Sequence, residues 1–129
     1  MLLSKLNTWA HVAGVYDSTH MRLYVNGLLA EKREFSGQMA SNDVPVSISM
    51  NNVGQREATK GFIDRVRIGN VARSEAEIQA KMDSRRTGNE PGLAGYWNFD
   101  DGTLRDLPPN GNDGQLMGND MIVGSDLPL

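Results

Sequence analysis

The chain predicts an all-β protein, an antiparallel β-sandwich carrying one short helix. Three observations lead there. Short stretches of alternating apolar and polar residues recur along 129 residues, separated by turns rich in Gly, Asn and Asp. One of those turns is Asn26-Gly27, which suits the two left-handed positions of a type I′ hairpin. Only the segment opening at Ser74 has the chemistry of a helix start.

Thr8 to Asp17 (TWAHVAGVYD) alternates with apolar groups on both faces, which predicts an interior strand of a sheet covered on both sides. Asp17-Ser18-Thr19-His20 is turn chemistry. Met21 to Gly27 is the second strand and Leu28 to Glu34 the third, so the first part of the chain is a meander. Val44 to Met50 (VPVSISM) reads as a strand with Val44, Val46, Ile48 and Met50 inward, and Pro45 assigns it to an edge or a strand start. Asn51 to Lys60 is a polar loop.

Gly61 to Gly69 (GFIDRVRIG) is the next strand, and alternation puts Phe62, Asp64, Val66 and Ile68 on one face with Ile63, Arg65 and Arg67 on the other. Ser74 then serves as N-cap and Glu77 as its capping-box partner for a helix reaching about Met82. Asn89 to Gly92 is a turn. Leu93 to Phe99 is a further strand with Leu93, Gly95, Trp97 and Phe99 on one face, apolar on both sides. Gln115 to Gly118 and Met121 to Val123 are expected as short closing strands.

The length suits one domain with a real core. A net charge of −3, with no Lys/Arg run longer than the pairs Lys32-Arg33 and Arg85-Arg86, argues against a non-specific nucleic-acid binder. No segment approaches the ~20 apolar residues that span a bilayer, so no membrane insertion is expected. Met1-Leu2-Leu3 lacks the apolar core of a signal peptide, and the abrupt start reads as a chain cut from a longer one. Without cysteine, disulfides and thiolate metal sites are unavailable. His11 and His20 read as ordinary strand and turn residues.

Asp64 draws attention because a carboxylate on an apolar face needs a partner; left unpaired, it costs roughly several kcal/mol. Calcium takes six to eight hard oxygens, and the chain offers Asp64, Asp100, Asp101, Asp106, Asn112 and Asp113, several in glycine-rich turns that expose carbonyls. The alternative is that Asp64 accepts backbone hydrogen bonds and the others shape turns. No paired-carboxylate strand, nucleophile elbow or phosphate-binding loop is present, so no catalysis is expected.

Trp9 to Asp17, Arg22 to Gly27, Gly61 to Ile68 and Ser74 to Ile78, in that order, resemble the C-terminal half of a LamG-like domain, a jelly roll of the concanavalin A-like lectin/glucanase superfamily. The resemblance covers residues 6–82. Gly95 to Gly102 (GYWNFDDG), with Asp106 and Asn110 to Gly114, is similar to the opening strands of the same family, here placed last. Residues 1–82 thus resemble the family's C-terminal half and residues 93–123 its N-terminal strands within one domain of 1–129. That order implies a circular permutation or a boundary between tandem copies. The family's middle strands are absent, leaving a reduced sandwich, a half-fold completed by another copy, or a fragment.

The resemblance carries further expectations. Leu93–Phe99 should lie antiparallel to Phe62–Ile68. In the related β-glucanases a structural calcium sits where the first strand meets the aspartate of the last, which maps to Asp64, Asp100 or Asp101, and the backbone near Gly102. A calcium site drawn from Asp64, Asp100, Asp101, Gly102, Asp106 and Asp113 is therefore expected. The module would be extracellular or at the cell surface, non-catalytic, and either bind a glycan or mediate adhesion. The alternative is a purely structural or assembly domain of a large extracellular protein. Trp9, Trp97, Tyr24 and Tyr96 are the aromatics a sugar could stack on, or else core. Two-faced apolar strands without a cover also predict a symmetric homodimer with an apolar interface above ~2,000 Å².

Overall fold

The computed structural model describes residues 7–48, 61–84, 88–107, 111–118 and 120–124. Strands β1 (Val12–Tyr16), β2 (His20–Val25) and β3 (Leu28–Glu34) form an antiparallel sheet in that order. Strands β4 (Val66–Gly69) and β5 (Leu93–Trp97) form a second antiparallel pair, and helix α1 (Glu75–Lys81) lies between them in sequence. The strand-rich architecture with one short helix is the one the sequence predicts.

Local chemistry accounts for the meander. At the β1–β2 turn, Asp17 Oδ1 accepts hydrogen bonds from Thr19 N–H (2.9 Å), the Thr19 hydroxyl (2.7 Å) and His20 N–H (2.8 Å). Its second oxygen takes the Arg22 guanidinium. At the β2–β3 turn, Asn26 (φ 51°) and Gly27 (φ 80°) both adopt the left-handed conformation a type I′ turn requires. Asn26 also ties β1 to this turn: its N–H donates to His11 O (2.8 Å) and its Oδ1 accepts from His11 N–H (2.9 Å).

A bulge between Leu23 and Tyr24, whose partners are Glu31 and Leu29, leaves Ala30 as the extra residue of β3. The register then sorts the sheet into two faces. Ala13, Tyr24 and Leu29 share a row on the face toward α1, and Tyr24 is buried there. Val12, Val25 and Leu28 share a row on the opposite face, where Val12 is 62% and Leu28 63% exposed.

Helix α1 begins as expected. Ser74 accepts Glu77 N–H at its side chain while Glu77 reaches back to Ser74 N–H, a complete capping box. The helix buries Ile78 and sends Gln79 Nε2 to Gly27 O (2.9 Å), so it rests on the β2–β3 turn. A Cβ at Gly27 would lie 2.7 Å from Gln79 Cγ, a second reason beside φ for glycine there. At the other end, Arg67 of β4 donates to Lys81 O (2.9 Å) and Ser84 O (2.6 Å), satisfying carbonyls at and just beyond the helix end. Its guanidinium carbon lies 5.6 Å from the ring centroid of Tyr96, its cross-strand partner in β5.

The β4–β5 ladder runs Val66↔Trp97, Arg67↔Tyr96, Ile68↔Gly95, which is the antiparallel pairing expected of these two segments. Trp97 folds over Gly95, where a Cβ would approach its ring to 2.4 Å. Tyr96 is the most deeply buried large side chain among the described residues.

Five expectations are corrected. Thr8–Asp17 is not an interior strand: β1 stands at the edge of its sheet, and the tight turn to β2 gives it only that one neighbour among the described residues. Residues 44–48 form no strand, because Asn42 Oδ1 captures Val44 N–H (2.8 Å) and Pro45 has none to give; Val46 is 75% exposed. The strand at Gly61–Gly69 contracts to Val66–Gly69, because Arg65 is left-handed (φ 55°) and breaks the alternation, leaving Phe62 exposed and Asp64 outside the ladder. Gln115–Gly118 and Met121–Val123 are not strands, with no strand beside them among the described residues. Phe99 likewise lies beyond β5, turned out by its own left-handed backbone (φ 59°). Met50, Asn51 to Lys60, Arg85-Arg86 and Asn110 lie outside the described residues.

Arg67→Lys keeps the charge and loses the planar fork that reaches two carbonyls. It should cost about 2–3 kcal/mol in chemical denaturation, a hydrogen bond to a charged group being worth about 1.5–3 kcal/mol. Hydrogen exchange should quicken in α1 and leave the β1–β2 ladder unchanged; equal protection of α1 in both proteins would refute the role assigned to Arg67.

Candidate functional site

The acidic residues singled out by the sequence cluster after β5. Phe99 reverses the chain, Asn98 Oδ1 accepts Asp100 N–H (3.1 Å), and Gly102 N–H (φ 74°) closes onto Phe99 O (3.1 Å). Asp101 Oδ1 accepts Thr103 N–H (3.0 Å) and the Thr103 hydroxyl (2.6 Å). These bonds, the hydroxyl's first, hold the Asp101 carboxyl below its ordinary value.

Asp106 turns inward and is 4% exposed. Its Oδ1 accepts Tyr96 N–H (2.8 Å), and its Oδ2 accepts Asn112 N–H (3.0 Å) and Nδ2–H (3.1 Å). Asp106 N–H in turn donates to Asp113 Oδ1 (3.0 Å), and Leu107 N–H to Tyr96 O (2.8 Å). Trp97 Nε1–H ends on Asn112 O (3.0 Å). One buried carboxylate thus does for β5 what a neighbouring strand would do, by accepting its backbone N–H and fastening the loop beside it.

Asp64 lies just before β4, and Asp100 and Asp101 just after β5. Since the ladder ends at Val66↔Trp97, both segments leave it at the same end. Asp106 and Asp113 are joined to each other and engaged with backbone donors. No group of three His, Cys, Asp or Glu side chains suited to a metal ion occurs among the described residues.

Sequence reasoning missed a second feature, an open cleft of about 420 Å³ between the α1-side face of the meander and the entry to α1. Val15, Asp17, Arg22, Tyr24, Arg73 and Glu77 line it. Four of its charges are already paired, Asp17 with Arg22 and Arg73 with Glu77. Arg22 holds Asp17 well below the usual carboxylate range, with the Thr19 hydroxyl adding to the effect, and Asp17 in turn raises Arg22. Arg73 reaches Glu77 (3.3 Å) and Pro91 O (2.7 Å), and Glu77 is lowered first by Ser74 N–H and then by Arg73. Only the capping box located one wall beforehand; the cleft joins residues far apart in sequence, which no local motif signals.

Antiparallel sheets with one short capped helix place the chain in the class of β-sandwich domains. A family model described as Laminin_G_3, concanavalin A-like lectin/glucanases superfamily, matches residues 3–79, and the chain belongs to that family. No curated protein and no solved structure matches the chain. No helix among the described residues is long and apolar enough to cross a membrane.

Two measurements test this chemistry. Asp106→Asn replaces one acceptor oxygen with a donor facing N–H groups, and should destabilise by about 1–3 kcal/mol, the cost of an unsatisfied buried group; an unchanged unfolding midpoint would refute the bracing role. His11 is the pH probe. Its pKa is lowered from 6.5 by burial and then by the Arg67 charge, against a smaller opposing effect of Asp83. Below pH 6.5 the unfolded chain therefore takes up a proton that the folded one resists, and stability falls as pH drops through that window. His11→Gln should flatten the dependence between pH 7 and 5, as read from urea midpoints.

Proposed function

We propose that this chain is a non-catalytic module of an extracellular or cell-surface protein, acting by assembly with other protein surfaces rather than on a small ligand. The supporting observation is which side chains are occupied. Tyr24 and Tyr96 are buried and Trp97 Nε1–H is held by Asn112 O, so three of the four aromatics considered for stacking on a sugar are engaged within the fold, and Trp9 is half-buried. The apolar side chains left exposed include Val12, Met21 and Leu28 on one sheet face. A glycan array probed in calcium buffer should stay silent. Specific glycan binding lost on Trp97→Ala would replace this reading with a lectin.

A structural calcium ion is the second reading, favoured by the shared ladder end of Asp64 and Asp100-Asp101-Gly102. Asp64, Asp100 or Asp101, and carbonyl groups near Gly102 would hold the ion, which would brace the two strand ends and supply no reaction chemistry. Asp106 and Asp113 fit it less well, being engaged in the loop. Calcium at ~100 times its dissociation constant should then add about 2.7 kcal/mol, with Asp64→Ala abolishing the gain. Identical melting in calcium and in EDTA would end this reading.

A further inference from the structure

The seam between helix α1 and the meander hairpin turns on the Asn26-Gly27 dipeptide. Gly27 O accepts Gln79 Nε2–H (2.9 Å), and a Cβ at Gly27 would lie 2.7 Å from Gln79 Cγ and 3.2 Å from Met82 Sδ, so the last turn of the helix rests there. His11 is fastened to the same dipeptide: its N–H donates to Asn26 Oδ1 (2.9 Å) and its carbonyl accepts Asn26 N–H (2.8 Å). These bonds carry the β1–β2 register one step past Val12↔Val25, which puts His11 on the face of Ala13, toward α1. The imidazole Nδ1 is buried and has no hydrogen-bond partner.

A neutral ring tolerates that position better than a charged one. Protonation makes both ring nitrogens donors, and a buried N–H with nothing to accept it is costly. Two charges act on the ring: Arg67 of β4 opposes a second cation, and Asp83, just past α1, favours one by less. The other residues of the seam, Asn26, Gly27, Gln79 and Met82, are uncharged. Arg67 also donates to Lys81 O and Ser84 O, so a charge on His11 pushes against the guanidinium that secures the helix end. We propose that His11 is a pH-sensitive latch: its protonation frees the last turn of α1 from the β2–β3 hairpin while the strand ladders stay paired. The closed seam holds the ring neutral, and the open one lets water solvate the imidazolium. The latch is therefore shut above pH 6.5, the ring's ordinary value, and loosens as pH falls below it. Asp17, Glu77 and Asp101 have ordinary values of 4.5 or less and are lowered further, so they stay ionised down to pH 5.

The latch goes beyond the assembly reading and does not depend on it. Amide hydrogen exchange of the full chain in low urea separates a local opening from global unfolding, because only the second exposes enough surface to depend steeply on urea. Met82 N–H, bonded to Ile78 O, reports the last turn of α1. Its exchange should run through an opening nearly independent of urea, and from pH 7 to pH 5 its protection factor should fall roughly tenfold, the scale of one-proton linkage over about one unit of pH. Amides of the β2–β3 ladder should need the urea-dependent unfolding at both pH values. His11→Gln should abolish the acid response of Met82, and His20→Gln, at the other histidine, should leave it intact. Should His11→Gln not fold, ring titration by NMR in the unaltered protein decides: His11 should titrate below 6.5, and lower still in Asp83→Asn, which removes the one attraction. Equal protection of Met82 at both pH values overturns the proposal. So does an acid response with the urea slope of the ladder, one that survives His11→Gln, or a ring that titrates at 6.5 or above.

Discussion

The Arg67 guanidinium is the constraint on which the arrangement of the elements depends. It belongs to β4, lies over Tyr96 of β5, and donates to carbonyls at Lys81 and Ser84. A seven-residue helix is too short to persist by its own hydrogen bonds. Its first turn is secured by the Ser74–Glu77 box; at its end Lys81 O accepts the Ser84 N–H and hydroxyl, and the planar, permanently charged Arg67 fork adds a bond there and another to Ser84 O. Gln79 extends the same helix to Gly27. Helix α1 therefore works as a tie bar, joined to the β4–β5 pair at one end and to the meander hairpin along its side.

That arrangement explains why few large side chains are deeply buried yet the elements keep defined positions. Among the described residues the buried hydrophobics are Tyr24, Ile78 and Tyr96, one each from the meander, the helix and the strand pair. Polar ties lie close by: Gln79 of the helix bonds Gly27 O in the turn after the strand that carries Tyr24, and Tyr96 N–H is held by Asp106. Directional bonds do here what a thick core does in larger domains, and they leave one sheet face apolar and open.

How much was legible in the sequence follows from the range of each interaction. Asn26-Gly27 and Ser74-x-x-Glu77 act within four residues, so their residue types alone announced the hairpin and the helix start. The pairing of β4 with β5 was readable only through the family resemblance. Arg65 was not readable: alternation assumes extended backbone, and a single left-handed residue inverts every face before it. Asp106 shows the converse difficulty. An aspartate among glycines has one appearance whether it ligates a metal, starts a turn or replaces a strand, and only the Tyr96 N–H ten residues back identifies the third case.

The family match ends at residue 79, inside α1 and before β5. Yet β4, which lies within the match, has β5 as its only ladder partner among the described residues. An isolated strand has no backbone partner, and even a lone two-stranded pair is marginal in water. The stacking partner of Arg67 is Tyr96, and its acceptors are at Lys81 and Ser84, all past the end of the match. Tyr96 in turn needs the Asp106 carboxylate to satisfy its N–H. The stability of the matched segment thus rests on residues outside it. Tyr96, Asp106 and the carbonyls of Lys81 and Ser84 extend the contacts of β4 beyond the matched residues.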